Sequence, residues 1–442
     1  MSSERAVYRL EEVCEFINGF AFKSTDYIEP SEETWEVLRM GYINRGGGFK
    51  EDSTPVFVPK KYGKNLNKYL IQPNDIVISM TDMKNNVAIL GNTARIVCSN
   101  RFVLNQRVGC IRVKRPDLID PVYLYYYSNW EPHVDYLRSR ANSGVQVNLS
   151  TSAIKEAEIE VPSLQEQKTI ASILSTIDDR ITLLRETNTT LEAIAQALFK
   201  SWFVDFDPVH AKQQGRVPEG MDAQTAALIP DSFEDSELGM VPKGWRVKAL
   251  DQIADYLNGL ALQKFPPTGV DDLPVIKIAQ LRKGDSVGAD KASRTIKPEY
   301  IIKDGDVLFS WSGSLEVEVW CGGEGALNQH LFKVTSEKYP KWLYLLATKF
   351  FLNEFRQIAA SKATTMGHIQ RKHLSDAKLA LPNEDLIQKT SSIFEPILDR
   401  YIANSLQAKE LAELRDTSLP RLISGQLRLP EAQALVEEAV DA

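Results

Sequence analysis

Three residues of one short segment have the types and spacing of a metal-dependent nuclease. Asp75, Asp82 and Lys84 lie in PNDIVISMTDMK. Two carboxylates could hold a metal ion there, and the lysine could lie beside a scissile phosphate. A second copy of the segment has Asp306 where Asp75 stands, but no carboxylate and lysine follow it. Asp75 and Asp306 are therefore interpreted more simply as turn residues that open a strand, and the nuclease is kept as an alternative.

Other catalytic and metal-binding motifs are missing from the sequence. There is no Walker phosphate loop, no GxSxG nucleophile elbow and no amino-methyltransferase motif of the type Asn-Pro-Pro-Tyr. The 4 cysteines lie far apart with no CxxC spacing, and the 5 histidines show no metal-ligand spacing. We therefore predict no catalytic, metal or cofactor site in this chain.

Basic runs that lack acidic residues point instead to a binding function. No Asp or Glu occurs from Lys84 to Arg115, from Arg138 to Lys155 or from Phe355 to Ser375. Lysine and arginine neutralise DNA phosphates, while Asn, Gln, Ser, Thr and Arg read base edges. The alternative for each run is an ordinary solvated surface. The predicted DNA-binding residues are Lys60, Lys61, Lys84, Arg101, Arg107, Arg140, Gln146, Asn148, Lys362, Thr364, Thr365, His368, Gln370 and Arg371.

Two kinds of segment leave their role open. The pairs Asn105-Gln106 and Asn328-Gln329 could read adenine, or their amides could hydrogen-bond the backbone of a loop. The segment TTMGHIQR (364–371) and its counterpart SGVQVN (143–148) could contact bases, or TTMGHI could pack against the helix after it.

The elements that position these residues occur twice along the chain. Leu10–Phe22 matches Leu250–Leu262, and YLIQPNDIVISM (69–80) matches YIIKDGDVLFSW (300–311). The LNQR segment at 104–107 matches LNQH at 327–330. The offset between the copies shrinks from 240 to 220 residues along the chain. Small loop differences between two copies of one fold produce such a drift.

Each copy is predicted to be a mixed α/β unit. LEEVCEFINGF (10–20) is predicted as a short helix ended by Asn-Gly, and 205–245 as an extended connector with at most one short helix. The predicted strands are EVLRMGYI (36–43), DIVISM (75–80) and RVGCIRV (107–113), and the predicted helices are LYYYSNW (124–130) and KWLYLLATKFFLNEFRQIA (341–359).

A long helix is predicted after each copy. From Ser163 to Phe206, apolar residues recur every three or four positions without Gly or Pro, which indicates a coiled-coil helix of ~60 Å. Ser163 and Glu166 form a capping-box pattern at its start. The second helix covers 383–424, where Pro396 either starts or restarts the helix or kinks it.

The apolar stripes of the two helices are expected to pack on each other in antiparallel fashion. Asn188 lies on the first stripe, where it either sets the register or is an ordinary buried polar residue. Arg415 weakens the second stripe. Phe199, Trp202, Phe203 and Phe206 either close the helix against the second unit or form a docking surface. The predicted coiled-coil and docking residues are Ile177, Ile181, Leu184, Asn188, Leu191, Leu198, Trp202, Ile397, Tyr401 and Leu411.

The charge distribution agrees with a DNA-binding role for the two units. The net charge is −7, but residues 1–160 are neutral and 246–382 carry +4, so the acidity lies in 161–245 and 383–442. No run of eighteen apolar residues and no signal sequence occurs, so we expect a cytoplasmic protein without a membrane span.

Several segments resemble type I restriction–modification DNA specificity subunits. The most specific are LEAIAQALFKSWFVDFDPV (191–209) and LPRLISGQL (419–427), joined by INGFAFKS, LNGLALQK, ALNQHLFKV and TTMGHIQRKHL. The resemblance implies an α+β fold, with two repeated mixed α/β target-recognition domains joined by two long antiparallel coiled-coil helices around a pseudo-twofold axis. Its implied boundaries are 1–162 and 246–382 for the recognition domains, 163–206 and 383–425 for the helices, 207–245 for the linker and 426–442 for the tail.

The resemblance also implies partners. The chain would have no catalysis of its own and would recognise a bipartite target in double-stranded DNA. It would assemble with two methyltransferase subunits, which bind S-adenosylmethionine and methylate adenine at N6. It would also assemble with restriction and translocase subunits that use ATP and magnesium. A protein-only helical adaptor, with no DNA in its function, is the alternative from a different class.

Overall fold

The computed structural model describes residues 5–441 except 52, 84–86, 99, 143–145 and 362–366. The backbone separates into two compact units. Unit 1 takes in the chain up to Arg180 and again from Leu411 onward, whereas unit 2 is the continuous stretch Ile181–Glu410. Both boundaries between the units fall inside long helices, so neither unit ends at a loop.

Unit 1 begins with short strands and short helices. Its strands are β1 (Ala6–Arg9), β2 (Cys14–Asn18), β3 (Thr34–Leu38), β4 (Phe57–Pro59), β5 (Ile76–Ser79), β6 (Thr81–Met83), β7 (Thr93–Arg95), β8 (Phe102–Leu104), β9 (Val108–Val113), β10 (Gln146–Asn148) and β11 (Glu158–Val161). Its short helices are α1 (Leu10–Val13), α2 (Pro121–Asn129), α3 (Glu131–Ser139) and α4 (Thr151–Lys155).

Two sheets form the core of unit 1. One is antiparallel with the order β2-β9-β5-β7, and the other has the order β4-β3-β8, in which β3 and β8 are parallel. Strand β5 is buried on both faces, as its Ile-Val-Ile sequence predicts for a central strand. Two further pairs, β1-β11 and β6-β10, complete the unit's strand ladders.

The long helix α5 (Leu164–Phe203) is followed by unit 2 elements that repeat this arrangement. The helices here are α6 (Asp207–Gln213), α7 (Ala223–Leu228), α8 (Leu250–Ile253), α9 (Ile278–Lys283), α10 (Lys341–Ser361) and α11 (Arg371–Asp376). The strands are β12 (Phe233–Ser236), β13 (Gly239–Pro242), β14 (Arg246–Ala249), β15 (Asp255–Asn258), β16 (Leu273–Ile276), β17 (Lys291–Ala292), β18 (Ile301–Ile302), β19 (Val307–Ser310), β20 (Val317–Val319), β21 (Gly325–Leu327), β22 (Leu331–Thr335) and β23 (Lys378–Leu381). The chain ends with α12 (Glu384–Ile423) and α13 (Leu429–Asp441).

The sheets of unit 2 repeat the strand order of unit 1, with one additional strand, β18, in the second sheet. The antiparallel sheet is β15-β22-β19-β20, and the second sheet is β17-β16-β21-β18 with a parallel β16-β21 pair. The pair β14-β23 repeats β1-β11. The predicted α+β fold with two repeated units and two long helices is therefore confirmed.

One predicted helix is wrong. The segment 10–20 forms only one helical turn, α1, and then continues as β2. Strand β9 pairs with β2 from Cys14↔Val113 to Asn18↔Gly109. This pairing gives the backbone N–H and C=O groups of β2 their hydrogen-bond partners, so tertiary pairing overrides the local helical pattern. The predicted strand 36–43 is also shorter, because the chain turns into a 3₁₀ helix at Met40–Tyr42.

The predicted extended connector at 205–245 is more ordered than expected. It contains two short helices, α6 and α7, and the β12-β13 hairpin. Asp222 caps α7 by accepting hydrogen bonds from the backbone N–H groups of Gln224 and Thr225 at 2.8 and 3.0 Å. Phe206 and Phe233 pack edge to face at 6.1 Å. Caps and aromatic contacts therefore order a segment whose Pro and Gly content suggested a simple linker.

The two long helices have the predicted positions. Ser163 accepts a hydrogen bond from the N–H of Glu166 at 3.3 Å, so it caps α5 as its sequence indicates. Helix α12 begins at Glu384 and includes Pro396, which excludes a start at the proline. Among the described residues, no helix is long and apolar enough to cross a membrane.

In unit 2, α5 and α12 are antiparallel and share a buried polar network. Asn188 on α5 donates to the carbonyl of Tyr401 at 3.0 Å and to Oγ of Ser405 at 2.9 Å. Asn404 donates in turn to Oδ1 of Asn188 at 2.9 Å. Farther along, Trp202 packs edge to face on Phe394, which gives the antiparallel direction. This network fits the register role for Asn188, since sliding the helices would break it.

We expect Asn188→Leu to destabilise unit 2 by about 1–3 kcal/mol, because it leaves the buried amide of Asn404 without its partner. The double variant Asn188→Leu/Asn404→Leu removes both polar groups, including the Asn404 oxygen that lacks a partner, and should recover most of the loss. Urea unfolding followed by tryptophan fluorescence measures both, since most of the 7 tryptophans lie in unit 2. Equal losses in the single and double variants would contradict the pairing.

Arg415 has a partner in unit 1 that the sequence did not reveal. Its Nη1 donates to Oδ1 of Asp178 at 2.8 Å, and the hydroxyl of Tyr126 donates to Oδ2 of the same carboxylate at 2.7 Å. The three residues come from α12, α5 and α2, so both long helices are joined to the recognition fold of unit 1. Arg415 is thus an ion-pair residue and not only a weak point in an apolar stripe.

The remaining predicted coiled-coil and docking residues are buried or half-buried. Ile177, Ile181, Leu184, Trp202 and Leu411 are buried, and Leu191, Leu198, Ile397 and Tyr401 are half-buried. Phe199, Trp202 and Phe203 belong to the core of unit 2, together with Trp245, Trp342 and Phe394. Of the two roles predicted for the aromatic residues, closure against the second unit is therefore the one found.

His133 gives unit 1 a stability that depends on pH. The ring is buried in α3, and burial lowers the pKa of His133 from 6.5 to about 4. The unfolded chain therefore binds a proton that the folded chain excludes, so stability falls as the pH drops from about 6.5 toward 4. Between pH 7 and pH 5 the wild type should lose about 2 kcal/mol more than His133→Gln, at ~1.4 kcal/mol per pH unit. Parallel pH profiles of urea unfolding would contradict this assignment.

Candidate nucleic-acid interface

In unit 1, three polar residues meet where the central strand β5 ends. The N–H of Met80, just after β5, donates to the carbonyl of Arg107 at 3.1 Å. The carbonyl of Met80 accepts from the N–H of Leu149 at 2.8 Å. Thr81 is the cross-strand neighbour of Asn148 in the β6-β10 pair. These bonds bring Thr81, Arg107 and Asn148 to one edge of the fold, although they are distant in sequence.

Unit 2 builds the same edge from equivalent residues. The N–H of Trp311 donates to the carbonyl of His330 at 3.3 Å, and its carbonyl accepts from the N–H of Ile369 at 3.0 Å. Ser312 pairs with His368 in an antiparallel bridge. Ser312, His330 and His368 thus occupy the places that Thr81, Arg107 and Asn148 hold in unit 1.

The two Asn-Gln pairs have a structural role at this edge. The side-chain oxygen of Asn105 accepts from the N–H of Arg107 at 3.4 Å, and that of Asn328 accepts from the N–H of His330 at 3.2 Å. Both asparagines are buried. Of the two roles left open, hydrogen bonding to loop backbone is the one that the geometry supports for Asn105 and Asn328.

Glycine is required beside each Asn-Gln pair. A Cβ on Gly19 would lie 1.9 Å from the carbonyl oxygen of Asn105, and one on Gly259 would lie 2.2 Å from that of Asn328. Backbone atoms cannot yield by that much, so both glycines allow close chain approach. The Asn-Gly dipeptides in INGFAFKS and LNGLALQK therefore support this edge and do not end helices.

An aromatic and imidazole cluster covers the edge in unit 2. The indole N–H of Trp311 donates to Oδ1 of Asn258 at 2.9 Å, and the Trp311 ring lies 5.8 Å from that of His330 and 6.3 Å from that of His368. Arg371 donates to the carbonyl of Tyr256 at 3.1 Å. Its guanidinium also lies 5.6 Å from the ring centroid of Phe332, so it is anchored at this edge.

The edge of unit 1 is less aromatic and more exposed. Thr151 donates to Oδ1 of Asn18 at 2.9 Å, and Asn148 donates to the carbonyl of Gln146 at 3.1 Å. Gln146 and Asn148 are half-buried, whereas Arg107 is exposed. No side-chain hydrogen bond or ion pair of Arg107 is formed with the described residues. This guanidinium is therefore available to a ligand.

Lysines on an aromatic platform supply a second cationic surface in unit 1. Lys60 lies 4.9 Å from the ring centroid of Trp35, Lys64 lies 5.6 Å from that of Phe20, and Lys68 lies 4.7 Å from that of Tyr69. Lys61 is exposed beside them. Cation–π contacts hold the lysine ammonium groups near the rings and leave some of their hydrogens for phosphate oxygens.

Two predicted arginines have partners within the fold. Arg101 donates to the buried carboxylate of Glu36 at 2.8 Å, and Tyr42 also donates to Glu36. The hydrogen bond to Glu36 raises the pKa of Arg101, while burial raises the pKa of Tyr42. Arg101 is thus engaged in stabilising unit 1, and its role as a phosphate contact stays a prediction. Arg140 is exposed and lies 5.1 Å from the Tyr136 ring centroid.

The remaining predicted DNA-binding residues lie in or near the TTMGHIQR segment, apart from Lys84. His368 and Gln370 are exposed, and the N–H of Gln370 donates to Nδ1 of His373 at 2.9 Å. Lys84, Lys362, Thr364 and Thr365 lie outside the described residues. Thr81, Trp311, Ser312 and His330 were not predicted, although the repeat offset already aligned Arg107 with His330. The alignment of the two repeats, continued past YLIQPNDIVISM, pairs Thr81 with Ser312 and could have revealed these positions.

The nuclease-like pattern has a structural explanation for its first carboxylate. Arg112 donates two hydrogen bonds to Asp75, at 2.8 and 2.7 Å, and the N–H of Gln72 donates a third at 2.7 Å. In unit 2, Lys333 from a neighbouring position of the paired strand forms an ion pair with Asp306 at 2.7 Å. Asp75 and Asp306 are therefore turn residues held by cations. The described residues contain no group of three His, Cys, Asp or Glu that could hold a metal ion.

Known proteins share both the sequence and the fold. The family model described as Type I restriction modification DNA specificity domain matches residues 2–193 and 242–415. The MjaIX specificity subunit of Methanocaldococcus jannaschii is 28% identical over 346 residues, which cover 76% of this chain and 75% of the relative. The HindI specificity subunit of Haemophilus influenzae is 26% identical over 361 residues, covering 69% of this chain and 77% of the relative.

A solved structure agrees with these matches. The type I restriction–modification S subunit from M. genitalium aligns with a TM-score of 0.54 at 14% identity, over 95% of this chain and 96% of that one. The low identity means that this likeness shows the fold alone. The family model, in contrast, covers most of the chain in two separate matches that correspond to the two repeats. The chain therefore belongs to the type I restriction–modification DNA specificity family, as one of its specificity subunits.

Proposed function

We propose that this chain selects the DNA target of a type I restriction–modification complex. Each unit would recognise one half of a bipartite site in double-stranded DNA. The observation that supports this most directly is the repeated edge, where one backbone arrangement carries different polar side chains in the two units. Two copies of one recognition domain with different side chains at the same edge suit a DNA target whose two half-sites differ in sequence.

The catalytic steps would belong to partner subunits in the cytoplasm. Two methyltransferase subunits would supply S-adenosylmethionine and methylate adenine, and restriction and translocase subunits would use ATP and magnesium. The target adenine would leave the base stack in the methyltransferase while this chain holds the duplex. The long helices would be the scaffold for these partners.

The exposed face of α5 supports a scaffold role. Leu183 and Ile194 are 53% and 45% exposed, although the opposite face of the helix is buried. They are eleven residues apart, about three helical turns, so they lie on the same face. A partner subunit that covered this face of α5 would bury both side chains, which would favour its binding.

The test is co-expression of this chain with its methyltransferase subunit in a host without other adenine methylation, followed by sequencing of modified bases. The expected result is N6-methyladenine in one bipartite motif, absent when this chain is omitted. Methylation without a bipartite motif, or methylation that does not need this chain, would contradict the proposal.

A binding experiment separates DNA recognition from a protein-only adaptor. The affinity of the purified complex for duplex DNA should fall steeply as salt rises, because lysine and arginine contacts release counterions. Salt-independent association with no preference for DNA would favour the adaptor instead.

A further inference from the structure

We propose that three equivalent positions in each unit choose the bases that the unit reads. In unit 1 they hold Thr81, Arg107 and Asn148, and in unit 2 they hold Ser312, His330 and His368. This inference rests on the proposed function and deepens it, because it assigns the choice of base to particular side chains.

The backbone at these positions is held in the same way in both units. The residue after the central strand bonds to the carbonyl of the second position, at 3.1 Å from Met80 and 3.3 Å from Trp311. The first and third positions are strand neighbours in both units. A buried asparagine fixes the N–H of the second position in each. The backbone is held alike in both units, so the side chains at these positions can select different bases without a change of backbone.

The side chain of Arg107 makes no hydrogen bond or ion pair within the described part of unit 1. The guanidinium groups of Arg112 and Arg138 are bonded to Asp75 and to the carbonyl of Leu90, respectively. Arg107 only contributes backbone atoms, and its exposed side chain makes no hydrogen bond or ion pair with the described residues. An arginine fork with free donors can bind O6 and N7 of guanine together.

Asn148 offers a complementary contact beside Arg107. One of its amide hydrogens is used by the carbonyl of Gln146, at 3.1 Å. The other hydrogen and the side-chain oxygen remain for the bidentate contact that asparagine makes with N6 and N7 of adenine. Thr81, the strand neighbour of Asn148, adds a methyl group and a hydroxyl oxygen, since the hydroxyl hydrogen is donated to Sδ of Met40 at 2.9 Å. Unit 1 is therefore assigned a half-site that contains guanine and adenine.

Unit 2 presents smaller contacts at the same places. Nδ1 of His330 lies 3.0 Å from Oγ of Ser312, and Nε2 lies 3.3 Å from the side-chain nitrogen of Gln329. With the Gln329 amide as donor, Nε2 accepts and Nδ1–H donates to Ser312. Ser312 is buried, so it holds the His330 ring in place, and His368 is the exposed member of the three positions. The Trp311 ring supports both imidazoles. Unit 2 has imidazole groups in place of the guanidinium fork of Arg107, so it should prefer different bases.

The experiment uses the complete complex and compares methylation motifs by sequencing of modified bases. Arg107→Ala is expected to lower base preference about 5- to 150-fold at one position of one half-site, with the other half unchanged. Arg107→Lys keeps the charge but loses the fork, so it should relax the same position. His330→Ala should relax only the opposite half-site. Arg115→Ala, an exposed arginine of unit 1 that pairs with Asp117, is the matched control and should leave the motif intact.

Each outcome of this experiment either supports the proposal or overturns it. A uniform fall in methylation with an unchanged motif, or full activity of Arg107→Lys on the original motif only, would make Arg107 a phosphate contact and overturn the proposal. Relaxation in both half-sites would also overturn it. The unaffected half-site is an internal control for folding. If the wild-type complex itself showed no bipartite motif, the proposed function would fail, whereas an unchanged motif in Arg107→Ala fails this inference alone.

Discussion

Lys349→Met is expected to destabilise unit 2 by about 2–4 kcal/mol at pH 7. Lys349 on α10 pairs with Glu192 on α5 and lies 3.4 Å from Glu318 on β20. Only 10% of its side chain is exposed, so methionine would leave two carboxylates facing each other beside apolar residues. Removing one partner of a buried ion pair costs ~3–5 kcal/mol, and partial exposure of the carboxylates lowers the expected value.

The pH dependence of this variant follows from the carboxylates. Burial raises the pKa of Glu318, and the charge of Lys349 counteracts this only in part. Burial also opposes the charge of Lys349, yet Glu318 and Glu192 together raise the pKa of that lysine. A carboxyl with a raised pKa binds a proton more tightly in the folded state, so the penalty of Lys349→Met should shrink as the pH falls from 7 toward 5.

Denaturant unfolding followed by tryptophan fluorescence measures this loss. Lys338→Met is the matched control, because Lys338 pairs with Glu384 at 3.2 Å with both side chains largely exposed. Its expected effect is at most about 1 kcal/mol. Adding Glu318→Gln to Lys349→Met should restore part of the stability. Similar losses for the two lysine variants would mean that the buried charges of unit 2 are solvated.

Phe203→Ala is expected to destabilise unit 2 by about 3–5 kcal/mol. Phe203 is 1% exposed at the end of α5, and its ring lies 5.3 Å from that of Phe199, 5.9 Å from Trp245 and 5.7 Å from Trp342. Trp342 stacks on Phe394 at 4.3 Å and donates its indole N–H to Ser391. These rings are held in place, so they cannot collapse into the space that the phenyl group leaves.

A second phenylalanine provides the control for this prediction. Phe350→Ala removes the same atoms from a ring of unit 2 that is 37% exposed, and it should cost roughly 1 kcal/mol or less. The urea midpoints of both variants, with unchanged slopes, give the comparison. If Phe203→Ala were as mild as Phe350→Ala, the aromatic cluster would not join α5 to the core of unit 2.

The repeat made most of the fold predictable from the sequence. Short Val- and Ile-rich strands at matching offsets indicated two mixed units, and the apolar stripes indicated the long helices. The helix predicted at 10–20 was wrong because this segment pairs with β9, a strand almost a hundred residues further along the chain. Gly109 of that partner leaves room for the ring of Phe16, since a Cβ there would lie 2.3 Å from it. No local pattern carries such information.

The candidate site was predictable in part, for a similar reason. Arg107, Asn148 and His368 were predicted from their chemistry, and the structure places them at equivalent edges of the two units. Ser312 and His330 were not predicted, because their place at this edge depends on strand register, which brings distant residues together. Arg101 was predicted as a DNA contact from a local charge count, which does not reveal its ion pair with Glu36, 65 residues away.

The discontinuity of unit 1 has a consequence for protein synthesis. Residues emerge from the ribosome in order, so unit 2, as one stretch, is complete once Glu410 has emerged. Tyr126 and Asp178 are made early, but the guanidinium that pairs with Asp178 arrives 237 residues later with Arg415. Arg5 likewise waits for the carbonyl of Ile423. The unit that is started first is therefore finished last, and a chain released before Arg415 would contain a whole unit 2 beside a unit 1 whose carboxylate still lacks its cation.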